Sequence, residues 1–298
     1  LYTVYFEACR LIEEQNIYKG NLEISKTRLN RKRLELEYGQ STSLEVLNAE
    51  VDFKNDSINY LNTISNLSNV KRDLNLIMNV DSEKIYDLVT DVDFLNFDEL
   101  DAAYKGAQEN NTSLKIDDKN IAISKNEMKA IKSTYLPTIG LVGSYGWNES
   151  INDNPYAFFN KNINDGFSGG INLTWDIFNS GRKIIANKNA KINYENSKIE
   201  KERRTNLFFN ELNNLYQTHT NNLYIFEVQV KNLETNKLNF ERNLEQYNLG
   251  QLSSIQFRDA QLKLQRAELQ KNSSKYNTKL SELALMKISG QIITKSYK

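Results

Sequence analysis

Residues 138–148 read TIGLVGSYGWN, and residues 167–178 read FSGGINLTWDIF. In both stretches large apolar side chains alternate with small or polar ones, and a period of two residues predicts a β-strand. Each stretch has about the nine to eleven residues that cross a bilayer as a tilted strand. One face of the pair would carry the apolar residues Ile139, Leu141, Tyr145, Trp147, Phe167, Ile171, Leu173, Trp175 and Ile177.

The segment between the two strands, residues 149–166, is long and polar, like an outward-facing loop of a barrel. Two interpretations of the strand pair stay open. It is either a soluble amphipathic hairpin packed on a helix, or part of a membrane-spanning sheet. Two strands cannot span a membrane alone, because their edges would be unpaired in lipid. The second interpretation therefore requires further strands from a longer chain and from other subunits.

On both sides of the strands the pattern predicts very long helices. The two prolines, Pro137 and Pro155, leave 1–136 and 156–298 without a proline. Between Gly181 and Asn248 no glycine or proline interrupts the helical pattern, and at a rise of 1.5 Å per residue such a helix is roughly 100 Å long. Helices of this length pack against other long helices, as in coiled coils.

The sequence also contains an internal repeat. Gly39-Gln40 matches Gly250-Gln251 at an offset of 250−39 = 211, and the register holds on both flanks. Each copy is predicted to be a helical hairpin with a glycine turn, 39–43 or 250–254. Glycine suits the left-handed position after a helix, and Ser43 and Ser254 are the predicted N-caps of the returning helices, 44–79 and 255–290.

The same offset predicts that the first copy is truncated. The counterpart of residue 181 would lie at 181−211 = −30, ahead of Leu1. The helical stretch 98–136 likewise lacks its partner, which would begin near 98−211 = −113. We therefore expect the mature chain to be longer by about 110 residues or more.

Composition argues against several classes of function. With 38 basic and 38 acidic residues, the chain lacks the basic excess of a general nucleic-acid binder. A single cysteine, Cys9, excludes a disulfide framework and a cysteine-based zinc site. A single histidine, His219, argues against histidine-centred catalysis or metal binding. We predict no catalytic residue, no metal and no cofactor.

Four polar features are expected to have no functional role. The adjacent acids Glu13-Glu14 and Asp117-Asp118 are expected to be solvated helix charges, and His219 to be structural. The run 201–204, KERR, is expected to be a solvated face. No stretch of eighteen apolar residues exists, so no transmembrane helix is predicted.

Several short motifs resemble those of a known family. They are the run 135–139 (YLPTI), a strand that ends near Tyr145-Gly146, and the run 175–182 (WDIFNSGR) that opens the longest helix. Tyr247-x-x-Gly250 with Asp259-Ala260, and Gly39 followed by Val46-x-Asn48-Ala49, belong to the same set. In this order and spacing, over nearly the whole chain, they resemble the TolC-type outer-membrane efflux proteins.

The resemblance implies a mainly α fold with a membrane β segment. Antiparallel helical hairpins would form a trimeric α-barrel joined to a shared 12-stranded β-barrel, to which each subunit gives four strands. The implied domains are 1–79, the truncated hairpin of repeat 1; 80–97, an equatorial connection; 98–137, a helix leading to the barrel; 138–178, a strand pair with outer loop 149–166; 179–290, the hairpin of repeat 2; and 291–298, a C-terminal tail.

The implied function is a passive exit duct in the bacterial outer membrane, with helices extending into the periplasm. It would carry small molecules or polypeptides outward as part of a tripartite efflux or type I secretion system. The implied partners are two further copies in a homotrimer, a periplasmic adaptor (membrane fusion) protein, an inner-membrane transporter and outer-membrane lipid, with no nucleic acid. The alternative from another class is a soluble coiled-coil scaffold, against which the strand pair argues.

The resemblance also implies a gate at the turns that contain Gly39 and Gly250, where the periplasmic entrance would lie. Asp259 matches an acidic residue that rings the entrance in the family, and three copies of it would attract cations.

Glu45 matches an acid that links neighbouring hairpins through Tyr247. The sequence departs from the family at Leu252, where the archetype has a basic partner, and at Gln256, where it has a second acid. The alternative is that Glu45 and Asp259 are first-turn acids favoured by the helix dipole.

Overall fold

A computed structural model describes residues 1–151, 156, 158 and 161–292 of the chain. It divides into two compact units, 1–111 with 209–298 (the helical unit) and 112–208 (the strand unit). The elements in order are α1 (Tyr2–Glu37), α2 (Ser43–Ile77), α3 (Phe97–Asn110), α4 (Thr112–Ser133), β1 (Thr138–Ile151), β2 (Lys161–Thr174), α5 (Arg182–Asn248) and α6 (Ser254–Ile288). None of the described helices is long and apolar enough to cross a membrane.

Both glycine turns of the repeat are present. Gly39 has φ 70° and Gly250 has φ 74°, which confirms the predicted left-handed conformation. The predicted N-caps are wrong by one residue, because Thr42 caps α2 and Ser253 caps α6. Each cap has an acid or amide three residues later, which is the spacing of a capping box, and this local signal distinguishes them from Ser43 and Ser254.

In the helical unit, α1 packs against both α2 and α6. Helix α6 has the longest series of buried residues, and much of that series is small or polar: Ala260, Gln261, Gln265, Ala267, Asn272, Ser274, Thr278, Ser281 and Glu282. Small side chains let neighbouring helices approach closely, and buried polar groups need hydrogen-bond partners. A chain with only 39% hydrophobic residues can therefore still pack long helices together.

The connection between α2 and α3 has neither helix nor strand over most of its length. Its backbone is bonded instead by side chains of α6. Lys275 Nζ donates to Thr90 O at 2.9 Å, Lys279 Nζ donates to Asp93 O at 2.7 Å, and Glu282 accepts from Leu95 N at 2.9 Å. These bonds satisfy polar groups that regular structure would otherwise pair.

The single helix predicted over 98–136 is two helices, because the chain leaves the helical conformation at Asn111 (φ −63°, ψ 117°). Asn111 Nδ2 donates to Ile288 O, at the end of α6, at 2.7 Å. Asparagine and threonine side chains bond the nearby backbone in competition with helix, and Asn110-Asn111-Thr112 places three of them in a row.

The strand unit contains an antiparallel pair that is longer than predicted. β1 and β2 extend into the segment 149–166, of which 152–155, 157, 159 and 160 lie outside the described residues. The sequence pattern alone would place Trp147 opposite Phe167 at one end of the pair and Ile139 opposite Trp175 at the other. This expectation is wrong by two residues, because Tyr145 pairs with Phe167 and Ile139 with Leu173. Trp175 and Ile177 lie beyond the end of β2. Of the predicted tail 291–298, residues 293–298 also lie outside the described part.

Asp117, Glu13 and Glu14 are less solvated than the sequence suggested, whereas Asp118 is exposed, as expected. Asp117 is buried and accepts from Arg204 Nη1 at 3.1 Å, while Asp118 pairs with Lys201, so α4 and α5 are joined in the strand unit. In the helical unit Glu13 pairs with Lys275 at 2.7 Å. His219 is structural, as expected. It is buried, its Nδ1 lies 3.0 Å from Ser281 Oγ, and burial lowers its pKa.

Gly290 provides a test of the packing between the ends of α3 and α6. It has φ 72°, and an added Cβ would lie 2.5 Å from Asn110 O. We expect Gly290→Ala to lower the free energy of unfolding by about 2 kcal/mol or more, because the left-handed conformation and the contact with backbone both penalise a side chain. Chemical denaturation followed by circular dichroism measures this change.

Gly20→Ala is the matched control, since nothing lies within 4 Å of a Cβ at this position in α1. It should raise stability by about 0.5–1 kcal/mol, because alanine restricts the unfolded chain. Equal effects of the two substitutions would contradict the packing described for Gly290.

Candidate functional site

The two turns of the repeat have the same backbone hydrogen bonds. In the first, Gly39 N donates to Leu36 O at 3.0 Å and Gln40 N donates to Glu35 O at 2.7 Å. In the second, Gly250 N donates to Tyr247 O at 3.1 Å and Gln251 N to Gln246 O at 2.9 Å. The predicted repeat therefore extends to individual bonds at the residues expected to form the gate.

Arg31 joins the ends of α1 and α5. Its Nη1 donates to Asn248 Oδ1 at 3.1 Å and its Nη2 to Tyr247 O at 3.5 Å, while its guanidinium carbon lies 4.7 Å from the centre of the Tyr247 ring. A cation at a helix C-terminus interacts favourably with the helix dipole, and guanidinium groups stack on aromatic rings. No sequence pattern predicts this role of Arg31.

Tyr247 is buried, and its ring stacks on Phe257 of α6 with centroids 4.5 Å apart and an interplanar angle of 10°. Its hydroxyl is buried and has no hydrogen-bond partner in the described part of the chain. Within the described chain this hydroxyl makes no bond to Glu45. The contribution of Tyr247 that the structure shows is the stack of its ring on Phe257.

Glu45 lies in the first turn of α2 with other partners. Its Oε2 accepts from Ser41 Oγ at 2.5 Å and lies 3.5 Å from Lys32 Nζ. The hydrogen bond from Ser41, with the charge of Lys32 and a bond from Thr42, lowers the pKa of Glu45. The carboxylate is therefore ionised at neutral pH, as expected of a first-turn acid.

Gln256, Asp259 and Lys263 follow one another along the exposed face of α6. We call these three residues the α6 stripe. Gln256 Oε1 accepts from Ser253 N at 3.1 Å, which completes the capping box. Asp259 Oδ2 lies 2.6 Å from Lys263 Nζ, and both side chains are more than half exposed.

The α6 stripe borders an open cleft of about 380 Å³, whose other side is formed by Asn239 and Asn243 of α5. The structure thus brings Gln256 and Asp259 together and places Glu45 elsewhere, among residues of α1 and the first turn. No group of three or more acidic, histidine or cysteine side chains that could hold a metal ion occurs within the described ranges.

A largely buried cluster of charges, which no sequence pattern predicts, lies beside the α6 stripe. Arg258 donates to both oxygens of Asp56, from Nη1 to Oδ2 at 2.7 Å and from Nη2 to Oδ1 at 2.8 Å. Ser25 of α1 donates to the same carboxylate. Asp52 pairs with Arg28 and lies 3.6 Å from Arg258 Nε. The bonds of this cluster join residues that are 24 to 233 positions apart in sequence, so no local pattern reveals them.

The strand pair has two different faces. Opposite pairs on one face are Ile139 with Leu173, Leu141 with Ile171, and Tyr145 with Phe167, whose rings are 4.7 Å apart. These side chains are between 57% and 88% exposed, although they are large and apolar. The other face has small and polar pairs such as Ser144 with Ser168, whose hydroxyls are 2.8 Å apart. The predicted grouping of side chains by face holds from 139 to 147 and from 167 to 173.

The unpaired hydroxyl of Tyr247 leads to a prediction about stability. If the hydroxyl formed a bond at the gate, its removal would destabilise the protein. Tyr247→Phe should leave the free energy of unfolding unchanged or raise it by about 1 kcal/mol, because it removes a buried group without a partner. Urea or guanidinium unfolding measures the difference.

Tyr276→Phe is the matched control, because the buried Tyr276 hydroxyl lies 2.9 Å from Glu13 Oε1 and 3.2 Å from Thr90 O. Loss of its bond to a charged group should cost about 1.5–3 kcal/mol. If Tyr247→Phe cost as much as this control, the Tyr247 hydroxyl would have to have a partner.

The fold matches those of several solved structures. An outer membrane channel of Campylobacter jejuni, CmeC, superposes with a TM-score of 0.77 at 15% identity, over 97% of this chain and 61% of that chain. The outer membrane protein VceC of Vibrio cholerae gives a TM-score of 0.78 at 12% identity, over 97% and 68%. The MtrE outer membrane channel of Neisseria gonorrhoeae gives 0.68 at 13% identity, over 98% and 67%. At such identities the likeness shows the fold.

The chain spans less than two thirds of the Campylobacter channel. No curated protein matches the sequence significantly. The family model for outer membrane efflux proteins matches residues 103–291, which is more than half of the chain. With the duplicated hairpin and the two-faced strand pair, this match shows that the chain belongs to the outer membrane efflux protein family, the TolC-type channels.

Proposed function

We propose that the chain is part of an exit duct in the bacterial outer membrane. In this proposal the duct serves a tripartite efflux or type I secretion system, and it passes small molecules or polypeptides from the periplasm to the exterior. Membership of the outer membrane efflux protein family supports the proposal. The observation that carries it is the exposed apolar face of the strand pair.

That face fits a lipid environment better than water. On β1 this face carries apolar side chains and one glycine over positions 139–147. Nine residues are about the length of a membrane-spanning strand. Aromatic residues lie near its end, at Tyr145, Trp147 and Phe167, as in the girdles of outer-membrane barrels. Asp165 comes directly opposite Trp147, where such a face would leave the hydrocarbon region.

The outer edges of β1 and β2 have no partner strand in the described sheet, whose order is β1-β2. In lipid each unpaired backbone group costs several kcal/mol, so a spanning sheet has to close into a barrel. We propose that strands 138–178 join others of a longer chain and of two further copies in a shared 12-stranded barrel. A symmetric homotrimer closes such a ring without open edges.

The helices support a trimer as well. Leu44, Val51 and Ile58 of α2 are seven residues apart, Leu47 and Leu61 follow the same heptad pattern, and all are more than half exposed. We call these five residues the α2 seam. A seam of this kind is normally covered by another helix. We propose that other copies cover it, so that the hairpins 1–79 and 179–290 build a periplasmic α-barrel, with 80–97 as its equatorial connection.

Within this assembly we place the periplasmic entrance at the turns of Gly39 and Gly250. Glu45 and the ring of Tyr247 would stabilise the turns, and Asp259 with Gln256 would face the passage and favour cations. The proposed partners are a periplasmic adaptor protein and an inner-membrane transporter that drives export.

The duct proposal predicts the behaviour of the intact protein in detergent. Native mass spectrometry should show three chains, because strand pairs with open edges need other copies to close them. The same sample should form ion-conducting pores in planar bilayers, and a heat-denatured sample serves as the control. A stable monomer without conductance that stays soluble without detergent would favour the coiled-coil scaffold instead.

The lipid-facing assignment predicts a difference between the two faces of β1. Leu141→Arg should lower stability in a refolding assay with lipid vesicles by about 2–4 kcal/mol, because the charge would enter the hydrocarbon region.

Ser144→Arg, three residues along the same strand but on the other face, is the matched control and should be tolerated. Equal losses for the two variants would contradict the assignment of faces.

A further inference from the structure

Helix α6 is fixed to two other helices by one side chain. Arg258 holds both oxygens of Asp56 on α2, and its Nη1 lies 3.2 Å from Ser25 Oγ on α1. Asp56 is 1% exposed and Ser25 is fully buried. The bond to Asp56 has two prongs in one plane, which fixes direction as well as distance.

A neighbouring residue of α6 strengthens this attachment. Gln261 is 1% exposed, and its Nε2 donates to Asn21 O of α1 at 3.1 Å, while its Oε1 accepts from Arg258 Nη1 at 3.1 Å. The nearby charges are Arg28, Asp52, Asp56 and Arg258, two of each sign. Because these charges balance, loss of Arg258 would leave the buried carboxylate of Asp56 without its cation.

The next residue after Arg258 is Asp259, the exposed acid of the α6 stripe. Successive residues of an α-helix point about 100° apart, and a helix is stiff about its own axis. If Arg258 is held against α1 and α2, the direction in which Asp259 points is fixed too. Phe257 and Ala260 are also buried, but apolar contacts do not define a direction of rotation as closely as a two-pronged bond does.

We infer that Arg258 is a positioning residue that sets the rotation of α6 and thereby directs Asp259 and the rest of the α6 stripe. The positioning of Asp259 by Arg258 does not depend on the proposed function. Only its consequence, that Asp259 faces the passage, rests on that proposal. The attachment itself is a property of the helical unit. The first part of the test therefore needs no channel activity.

The first measurement is a distance distribution between two spin labels, placed by Asn55→Cys on α2 and Lys263→Cys on α6. Both positions are exposed. The native Cys9 is buried and its burial raises its pKa to about 11, so its thiol is expected to react with the label far more slowly than the two introduced thiols. Labelled chains of the intact protein are diluted with unlabelled chains, so that distances within one chain are measured by double electron–electron resonance.

Arg258→Met should broaden or shift this distribution relative to the parent. Arg266→Met, the same change at an exposed position of α6, should leave it unchanged. Because Arg258→Met leaves Asp56 buried without its cation and can prevent folding, Arg258→Lys is the second variant. Lysine keeps the charge but cannot form the two-pronged bond, so a smaller broadening is expected. A folded Arg258→Lys protein with the distribution of the parent would overturn the inference.

The second measurement is the cation-to-anion permeability ratio in planar bilayers. Asp259→Asn should lower this ratio. Arg258→Lys should shift the permeability ratio toward the value of Asp259→Asn, although the carboxylate of Asp259 remains. The variant that carries both substitutions should have the same ratio as Asp259→Asn alone. An unchanged ratio in Arg258→Lys, with a lowered ratio in Asp259→Asn, would overturn the link between the two residues. If the parent forms no pore, the proposed function fails while the distance measurement still decides the role of Arg258.

Discussion

The helical unit depends on the burial of polar side chains along α6. Thr278 donates to Asn222 O of α5 at 3.0 Å, Asn272 donates to Arg10 O of α1 at 2.9 Å, and Arg258 binds Asp56 of α2. A buried polar group without a partner costs more than a hydrogen bond contributes, so each of these bonds excludes other alignments of the helices. Small residues alone would let helices pack in several registers. In helices with so few large apolar side chains, the buried hydrogen bonds therefore fix the alignment.

The same helix also holds the irregular connection after α2. Four of its side chains, two lysines, one tyrosine and one glutamate, bond backbone groups of residues 90–95. Glu282 is fully buried and lies 2.6 Å from Lys279 Nζ, so the two charges compensate each other where they meet the connection. The connection therefore has a defined path without strand or helix. Substitutions on that face of α6 affect both the helical packing and the connection.

Local patterns predicted what depends on local physics. The period of two in 138–148, the glycines of the turns and the offset of 211 were sufficient for the strand pair and the duplicated hairpin. The predictions at the caps and at Asn111 are wrong where the sequence itself carries a local signal, namely residues at capping-box spacing and three adjacent Asn and Thr residues. The cluster around Arg258 and the burial of the Tyr247 hydroxyl depend on contacts across 202 positions or on packing, which one sequence does not reveal.

The repeat makes the two hairpins comparable residue by residue, and their differences support the proposed assembly. By the offset of 211, Arg258 corresponds to Leu47 and Gln256 to Glu45. Both Gln256 and Glu45 lie three residues after a cap, so the turns are equivalent. Arg258 is covered by α1 and α2, whereas Leu47 is 57% exposed in the α2 seam.

In the proposed assembly, a helical hairpin of another copy would pack on α2 at Leu47, as α1 packs on α6 within the chain. Within the described chain no such hairpin covers the α2 seam. A further copy of the chain contains such a hairpin. In a closed ring of copies, each α2 seam would be covered by a hairpin of the neighbouring copy.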